Sequence, residues 1–181
     1  MDASKFQTDL GSGAELRRYS LKDLDAVWAL VDAERDRLGP WMPWIASTTT
    51  LEHQRTWLAR VVADSESLDG CGLWVDGRYA GGVGLSTDPF GITGELGYWV
   101  GAEFEGRGLV SKACLALIGF GFGAGLHRMM IRAGVRNVRS RAVAERLGFT
   151  FEGIHRGEGR GTGGFYDLAC YGLLEDEWPP R

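Results

Sequence analysis

Gly106, Arg107 and Gly108 stand where one periodicity gives way to another. Upstream, Gly94-Glu95-Leu96-Gly97-Tyr98-Trp99-Val100 carries the aromatic and branched residues of a strand. Downstream, Leu109, Ala113, Leu117 and Phe120 recur at helical spacing. Lacking Cβ atoms, the two glycines let the main chain approach a ligand closely. The free N–H groups of the turn and of the first helical turn, at Leu109, Val110 and Ser111, then point outward together. Arg107 adds a permanent positive charge with two-pronged reach. This is the chemistry of anion capture, and a phosphate-bearing ligand suits it. Gly-x-Gly alone is mostly an ordinary turn, so its surroundings decide.

A second charge feature follows. Arg128, Arg132, Arg136, Arg139, Arg141 and Arg146 crowd together in a chain of formal net charge −4. They are either a solvated surface or a landing site for several phosphates. Leu38-Gly39-Pro40-Trp41-Met42-Pro43-Trp44-Ile45 has two prolines that bar a regular helix or central strand. Trp41, Met42 and Trp44 are too apolar for a free loop, so this segment is either a core plug or the wall of a pocket. The acidic balance argues against general nucleic-acid binding and suits a cationic acceptor such as an amine.

These groups need a scaffold. The chain has 181 residues, 44% of them hydrophobic, which suits one domain with a substantial core. No apolar run is long enough to span a bilayer, and the N-terminus lacks a signal-peptide pattern. Cys71, Cys114 and Cys170 sit in apolar segments and read as buried free thiols of a reducing cytoplasm. His53, His127 and His155 are scattered, so no metal site is expected.

Residues 1–13 are polar and aperiodic, which suggests a mobile arm before a domain over 14–181. Ala14–Tyr19 reads as a strand. Ser20 caps a helix whose apolar face is Leu21, Leu24, Val27, Trp28 and Val31, with residues 32–37 running out to solvent. Thr50 caps a second helix over 51–64. Asp76-Gly77 between apolar runs signals a hairpin of 71–75 with 79–87. The strand at 95–100, the glycine turn and its helix come next. A strand at 129–133 and a helix at 137–147 follow, the latter closed by Gly148. Strands at 149–152 and 165–174 flank a glycine-rich loop at 157–164. This order makes one α/β domain, a mixed, mostly antiparallel twisted sheet of about seven strands flanked by helices.

Three segments stand at a telling order and spacing: Glu95-Leu96-Gly97-Tyr98-Trp99-Val100, the Gly106-Arg107-Gly108 turn, and the run from Asn137 through Ser140, Arg141 and Arg146 to Gly148-Phe149. Together they resemble the GCN5-related N-acetyltransferases, in particular the RimJ/RimL-type ribosomal-protein N-terminal acetyltransferases. The Trp41-Met42-Pro43-Trp44 loop and Phe165-Tyr166-Asp167 resemble that branch too. The resemblance implies acetyl-CoA as donor and a strand pair splayed at its site. Tyr98, Trp99 and Val100 would pair with the pantetheine arm, Gly106 to Val110 would hold the pyrophosphate, and Ser111 would belong to the same cofactor site. Asn137 would bond the pantetheine, Ser140 would sit near the sulfur, and Arg141 would face the phosphoadenosine. Two positions depart from the family turn: Glu105 stands where Gln or Arg is usual, and Val110 where a small residue is usual. Gly119, Gly121 and Gly123 weaken the long helix without an evident purpose. Dimerisation is a further implication.

Amide formation from a thioester needs a neutral amine, a polarised carbonyl and a proton for the leaving thiolate. A main-chain N–H near Val100 suits the second need and Ser140 the third. Glu95 is the leading candidate base and Glu158 its rival; each is otherwise a surface carboxylate. Trp41, Trp44 and Tyr166 are candidates for contact with the acceptor. That acceptor is a protein N-terminal α-amine or, alternatively, a small amine such as an antibiotic or polyamine. A non-catalytic acyl-CoA-binding regulator is the remaining alternative.

Overall fold

The computed structural model describes residues 5–64 and 67–178. Its strands are β1 (Gln7–Gly11), β2 (Ala14–Arg18), β3 (Leu68–Val75), β4 (Arg78–Thr87), β5 (Thr93–Val100), β6 (Arg128–Gly134), β7 (Thr150–Gly161) and β8 (Gly164–Leu174). Its helices are α1 (Leu24–Ala33), the short α2 (Arg35–Leu38), α3 (Leu51–Ala63), α4 (Leu109–Gly123) and α5 (Val138–Arg146). The strands form one sheet in the order β1-β2-β3-β4-β5-β6-β8-β7. Every neighbouring pair is antiparallel except β5 with β6.

Two apolar clusters cover the two faces. One packs α4 and α5 through Leu117, Ile118 and Ala144 onto Leu73, Val83 and Ile131. The other packs α1 and α3 through Val27, Val31 and Leu58 onto Tyr79 and Trp74. No helix among the described residues is long and apolar enough to cross a membrane.

Local chemistry explains most boundaries. Asp76 and Gly77 turn the β3–β4 hairpin with φ of 49° and 75°, as two left-handed turn residues must. The Thr50 side chain accepts from the His53 N–H at 3.2 Å and starts α3. Gly148, at φ 85°, ends α5. Gly121, without evident use in the sequence, lets α4 lie close to the sheet: a Cβ there would fall 2.3 Å from Met129 Cε.

Three expectations need correction. Residues 7–11 are not a mobile arm but β1, the edge strand beside β2; residues 1–4 lie outside the described residues. Two apolar residues in this polar run anchor it. Phe6 meets the Phe120 ring edge-on at 5.4 Å, and Leu10 packs against the α4-side core. The glycine-rich stretch 157–164 is mostly strand: β7 and β8 form one long hairpin. Glycine tolerates its close contacts, since a Cβ on Gly159 would fall 2.2 Å from the Tyr166 ring. Finally, residues 32–37 do not simply run into solvent. Glu34 accepts from the Ala102 N–H at 2.8 Å, and Arg37 reaches β5.

Candidate active site

The parallel pairing of β5 with β6 is short: it joins Thr93 to Arg128, Gly94 to Met129 and Glu95 to Met130, then stops. β5 continues to Val100 along β4, and β6 continues to Gly134 along β8. The two strands therefore part after Glu95 and leave main-chain groups on their facing edges without a strand partner. The fork opens into a cleft of about 970 Å³. Tyr98, Trp99 and Val100 line one side, and Asn137 and Ser140 line another.

The far end of the cleft is the glycine turn. Gly106 and Gly108 have φ of 75° and 71°, a left-handed conformation that favours glycine. A Cβ on either would meet nothing within 4 Å, so both face open space. Gly108 is the N-cap of α4 and no side chain caps it. The Lys112 N–H returns to the Gly108 carbonyl at 3.1 Å, which leaves the amides of Leu109, Val110 and Ser111 as the orphan donors of the helix start. Arg107, Leu109, Val110 and Ser111 all line the cleft. An open cradle of amides with a guanidinium beside it fits a pyrophosphate.

The arginine group divides. Arg139 and Arg146 line the cleft. Arg128 pairs with Glu152 instead. Arg141, expected at the adenosine end, is not brought there: its Nε donates to the Tyr171 hydroxyl at 2.8 Å and its Nη1 to the Val135 carbonyl. Arg37 of α2 enters the cleft from the opposite side. It donates to the Val100 carbonyl and, at 2.8 Å, to Glu105. Glu105 also pairs with Arg139, so the acid that departs from the family turn ties two guanidiniums across the cleft mouth.

Deeper in the fork, the Tyr98 hydroxyl donates to the Ser140 carbonyl at 3.0 Å and accepts from Ser140 Oγ at 3.1 Å. Asn137 caps α5 by accepting from the Ser140 N–H at 3.2 Å, which fixes that serine in the first helical turn. Burial pushes the Tyr98 phenol up, against the opposing Ser140 contact, so it stays protonated at neutral pH.

The two carboxylates that compete for the role of base meet on one residue. Glu95 accepts from Arg132 with both oxygens, at 2.9 and 2.8 Å. Glu158 takes the other guanidinium nitrogen, and His155 Nδ1 lies on Glu158 in turn. The Glu95 hydrogen bonds push the Arg132 guanidinium up, with burial opposing. Arg37 is the site residue the sequence hides: it looks like ordinary surface charge, and only loop docking recruits it.

The tryptophan loop is both core and wall. Leu38 and Ile45 are buried in the α1–α3 core, at 4% and 2% exposure. Trp41 and Met42 line the cleft. Trp41 also meets Tyr166 edge-on at 5.7 Å, and the Tyr166 hydroxyl donates to its carbonyl at 2.8 Å. Trp44 lines a separate cavity of about 420 Å³ under the loop. Met42, Tyr98 and Trp99 line both spaces.

Known proteins share this arrangement. The Acetyltransferase (GNAT) domain family matches residues 14–150. YdaF of Bacillus subtilis (strain 168), a protein named for ribosomal N-acetyltransfer, is 34% identical over 169 residues, covering 90% of this chain and 92% of its own. The structure of RimL, the ribosomal L7/L12 α-N-protein acetyltransferase in complex with coenzyme A, superposes with a TM-score of 0.88 at 23% identity, over 96% of this chain and all (100%) of that one. The Microcin C7 self immunity acetyltransferase MccE, in complex with acetyl-CoA and AMP, gives a TM-score of 0.84 at 25% identity over 91% of this chain and 94% of its own. A forked sheet, an uncapped helix start beside it and a family match across most of the chain converge: this protein belongs to the GNAT acetyltransferases.

Proposed function

We propose that the protein transfers an acetyl group from acetyl-CoA to the α-amine of a protein N-terminus, on substrates of the ribosomal-protein type. The observation that carries the reading is the fork after Glu95 and Met130, which leads directly to the amide cradle at Gly108. The acceptor class rests on the kinship with YdaF, and the donor on the fit of the cleft.

When bound, acetyl-CoA supplies an acetyl group as a thioester, open to attack by a neutral amine. The Leu109, Val110 and Ser111 amides and Arg107 hold its pyrophosphate. The free edge of β5 at Tyr98, Trp99 and Val100 binds the pantetheine arm, with Asn137 and Ser140 opposite. A main-chain N–H near Val100 polarises the carbonyl. The Tyr98–Ser140 pair keeps a hydroxyl proton near the leaving sulfur. Glu95, directly or through a water, or Glu158 in its place, takes the proton released by the amine. Trp41, Trp44 and Tyr166 contact the acceptor. The setting for this work is the cytoplasm.

The test is incubation with acetyl-CoA and a panel of peptides with different free N-termini, read by mass spectrometry, beside calorimetry with coenzyme A. The expected result is a mass gain on the α-amine and saturable binding. Coenzyme A binding with turnover of small amines alone would replace the acceptor; no heat with coenzyme A would overturn the reading.

A further inference from the structure

The cavity beneath the tryptophan loop has a bare floor and walls of rings. Gly70 of β3, Gly82 and Gly84 of β4 and Gly97 of β5 line it from the sheet. At Gly97 a Cβ would meet nothing within 4 Å. Five lining rings follow one another in contact: Trp57 meets Tyr19 at 5.4 Å, Tyr19 meets Tyr79 at 6.1 Å, Tyr79 meets Trp99 at 5.9 Å, and Trp99 meets Trp44 at 6.2 Å. Arg60 and Asp69 line the cavity as well. Both are exposed, so the cavity meets solvent beside them, and their opposite charges leave the ring-lined part to select by shape. At the other end Tyr98 and Trp99 also line the donor's cleft, so cavity and cleft share a wall. Leu96 and Tyr98 pack toward the α4 side of the sheet and Trp99 toward the α1–α3 side. By strand alternation Glu95 and Gly97 share the face of Trp99, which sets the candidate base two residues from Gly97 on the cavity's side.

We propose that this cavity binds a flat aromatic ring, and that the protein acetylates primary amines carried on a short alkyl stem from such a ring. An apolar cavity of about 150 Å³ already holds a benzene, and this one measures about 420 Å³. A floor of glycines has no side chain to prop a flat guest away from the peptide planes, and the wall rings meet a guest ring by stacking or by edge contact. The amine lies at the inner end, where Gly97 is open and Glu95 is near. There the neutral amine nitrogen bonds the acetyl carbon as the carbon–sulfur bond breaks. Its proton goes to Glu95, directly or through a water, and coenzyme A leaves as the thiol with a proton from the Tyr98–Ser140 pair. A free arylalkylamine and a chain whose first residue is aromatic present this same chemistry. The inference rests on the acetyl-transfer reading above and adds a class of acceptor to it.

The experiment supplies acetyl-CoA with 2-phenylethylamine, with its puckered, saturated counterpart 2-cyclohexylethylamine, and with two peptides that differ only in an N-terminal Phe or Ala. The proteins are wild type, Gly97→Val and Trp44→Leu. Wild type is expected to favour the flat ring over the puckered one by about tenfold in kcat/KM. A preference confined to the free amines identifies a small arylalkylamine as the source of the ring; one that extends to the Phe peptide over the Ala peptide identifies a protein chain. With coenzyme A present, 2-phenylethylamine should also change the tryptophan fluorescence of wild type saturably. Gly97→Val puts a branched side chain into the open space, raises KM for ring-bearing acceptors about tenfold and keeps the Kd of coenzyme A. Trp44→Leu removes one wall and with it most of the preference for the flat ring. No turnover of a ring-bearing acceptor, equal kcat/KM for flat and puckered rings with no gain of Phe over Ala, or a preference untouched by both variants overturns the inference. Each of these, with coenzyme A bound and the Ala peptide acetylated, leaves the acetyl-transfer reading standing; no heat with coenzyme A overturns that reading itself.

Discussion

Glu105 places a negative charge in a cleft built for phosphates. It is held there by Arg37 and Arg139, and its neighbours Gly106 and Arg107 carry the anion cradle. A pyrophosphate entering the cleft meets repulsion from this carboxylate and competes with it for both guanidiniums. Glu105→Gln removes the repulsion and frees Arg139. Calorimetry should show coenzyme A binding about threefold tighter at low ionic strength, with the gain fading as salt screens the charges. Weaker binding would mean that Glu105 serves to hold Arg37 against the Val100 carbonyl. A second residue-scale prediction concerns Tyr98. Tyr98→Phe keeps the ring but loses the hydroxyl that faces Ser140. Its kcat should fall about tenfold or more with coenzyme A affinity retained; an unchanged kcat would remove the pair from the proton path.

The start of α4 tests the next scale. Gly108 sits at φ 71° with open space before its missing Cβ. Gly108→Val strains the backbone by about 1–2 kcal/mol and puts a branched side chain over the cradle. The variant should melt a few degrees lower, yet lose coenzyme A affinity at least about tenfold by calorimetry. A loss of stability without a loss of affinity would dismiss the cradle. This element was legible in the sequence because its signal is local: two glycines between a strand period and a helix period. The β3–β4 hairpin was legible for the same reason, through Asp76-Gly77. β1 was not, since only Phe6 and Leu10 betray it, and what orders them is α4, far along the chain. The strand character of β7 was hidden by glycines whose purpose is to clear the Tyr166 ring and the loop at Pro40. At the site, Gly106 could be named from spacing, and Tyr98 and Ser140 from the family resemblance. Arg37 could not, because it gains its role only when loop, strand and helix close upon one another.

At the scale of the molecule, Asp23 ties the sheet to the α1–α3 face. It is 7% exposed, receives two bonds from Arg17 of β2 at 2.9 and 3.0 Å, and accepts the Ser20 N–H at 2.7 Å. Burial works to raise its carboxyl, but the Arg17 and Ser20 bonds outweigh this and hold it below the usual 3.8. A carboxyl lowered in the folded state adds stability above its unfolded value and surrenders it as pH falls. Asp23→Asn should therefore cost about 2 kcal/mol in urea unfolding at neutral pH. The gap between variant and wild type should close as the pH drops below 3.8. A gap independent of pH would assign the loss to packing.

The seam between β5 and β6 has one more consequence. A sheet normally finishes its own ladder; this one stops after three rungs and leaves the rest to whatever slides in. The guest is then a surrogate strand, and its binding energy adds to the resistance of the whole chain to unfolding. The temperature at which the chain melts should then climb with the concentration of coenzyme A supplied to it.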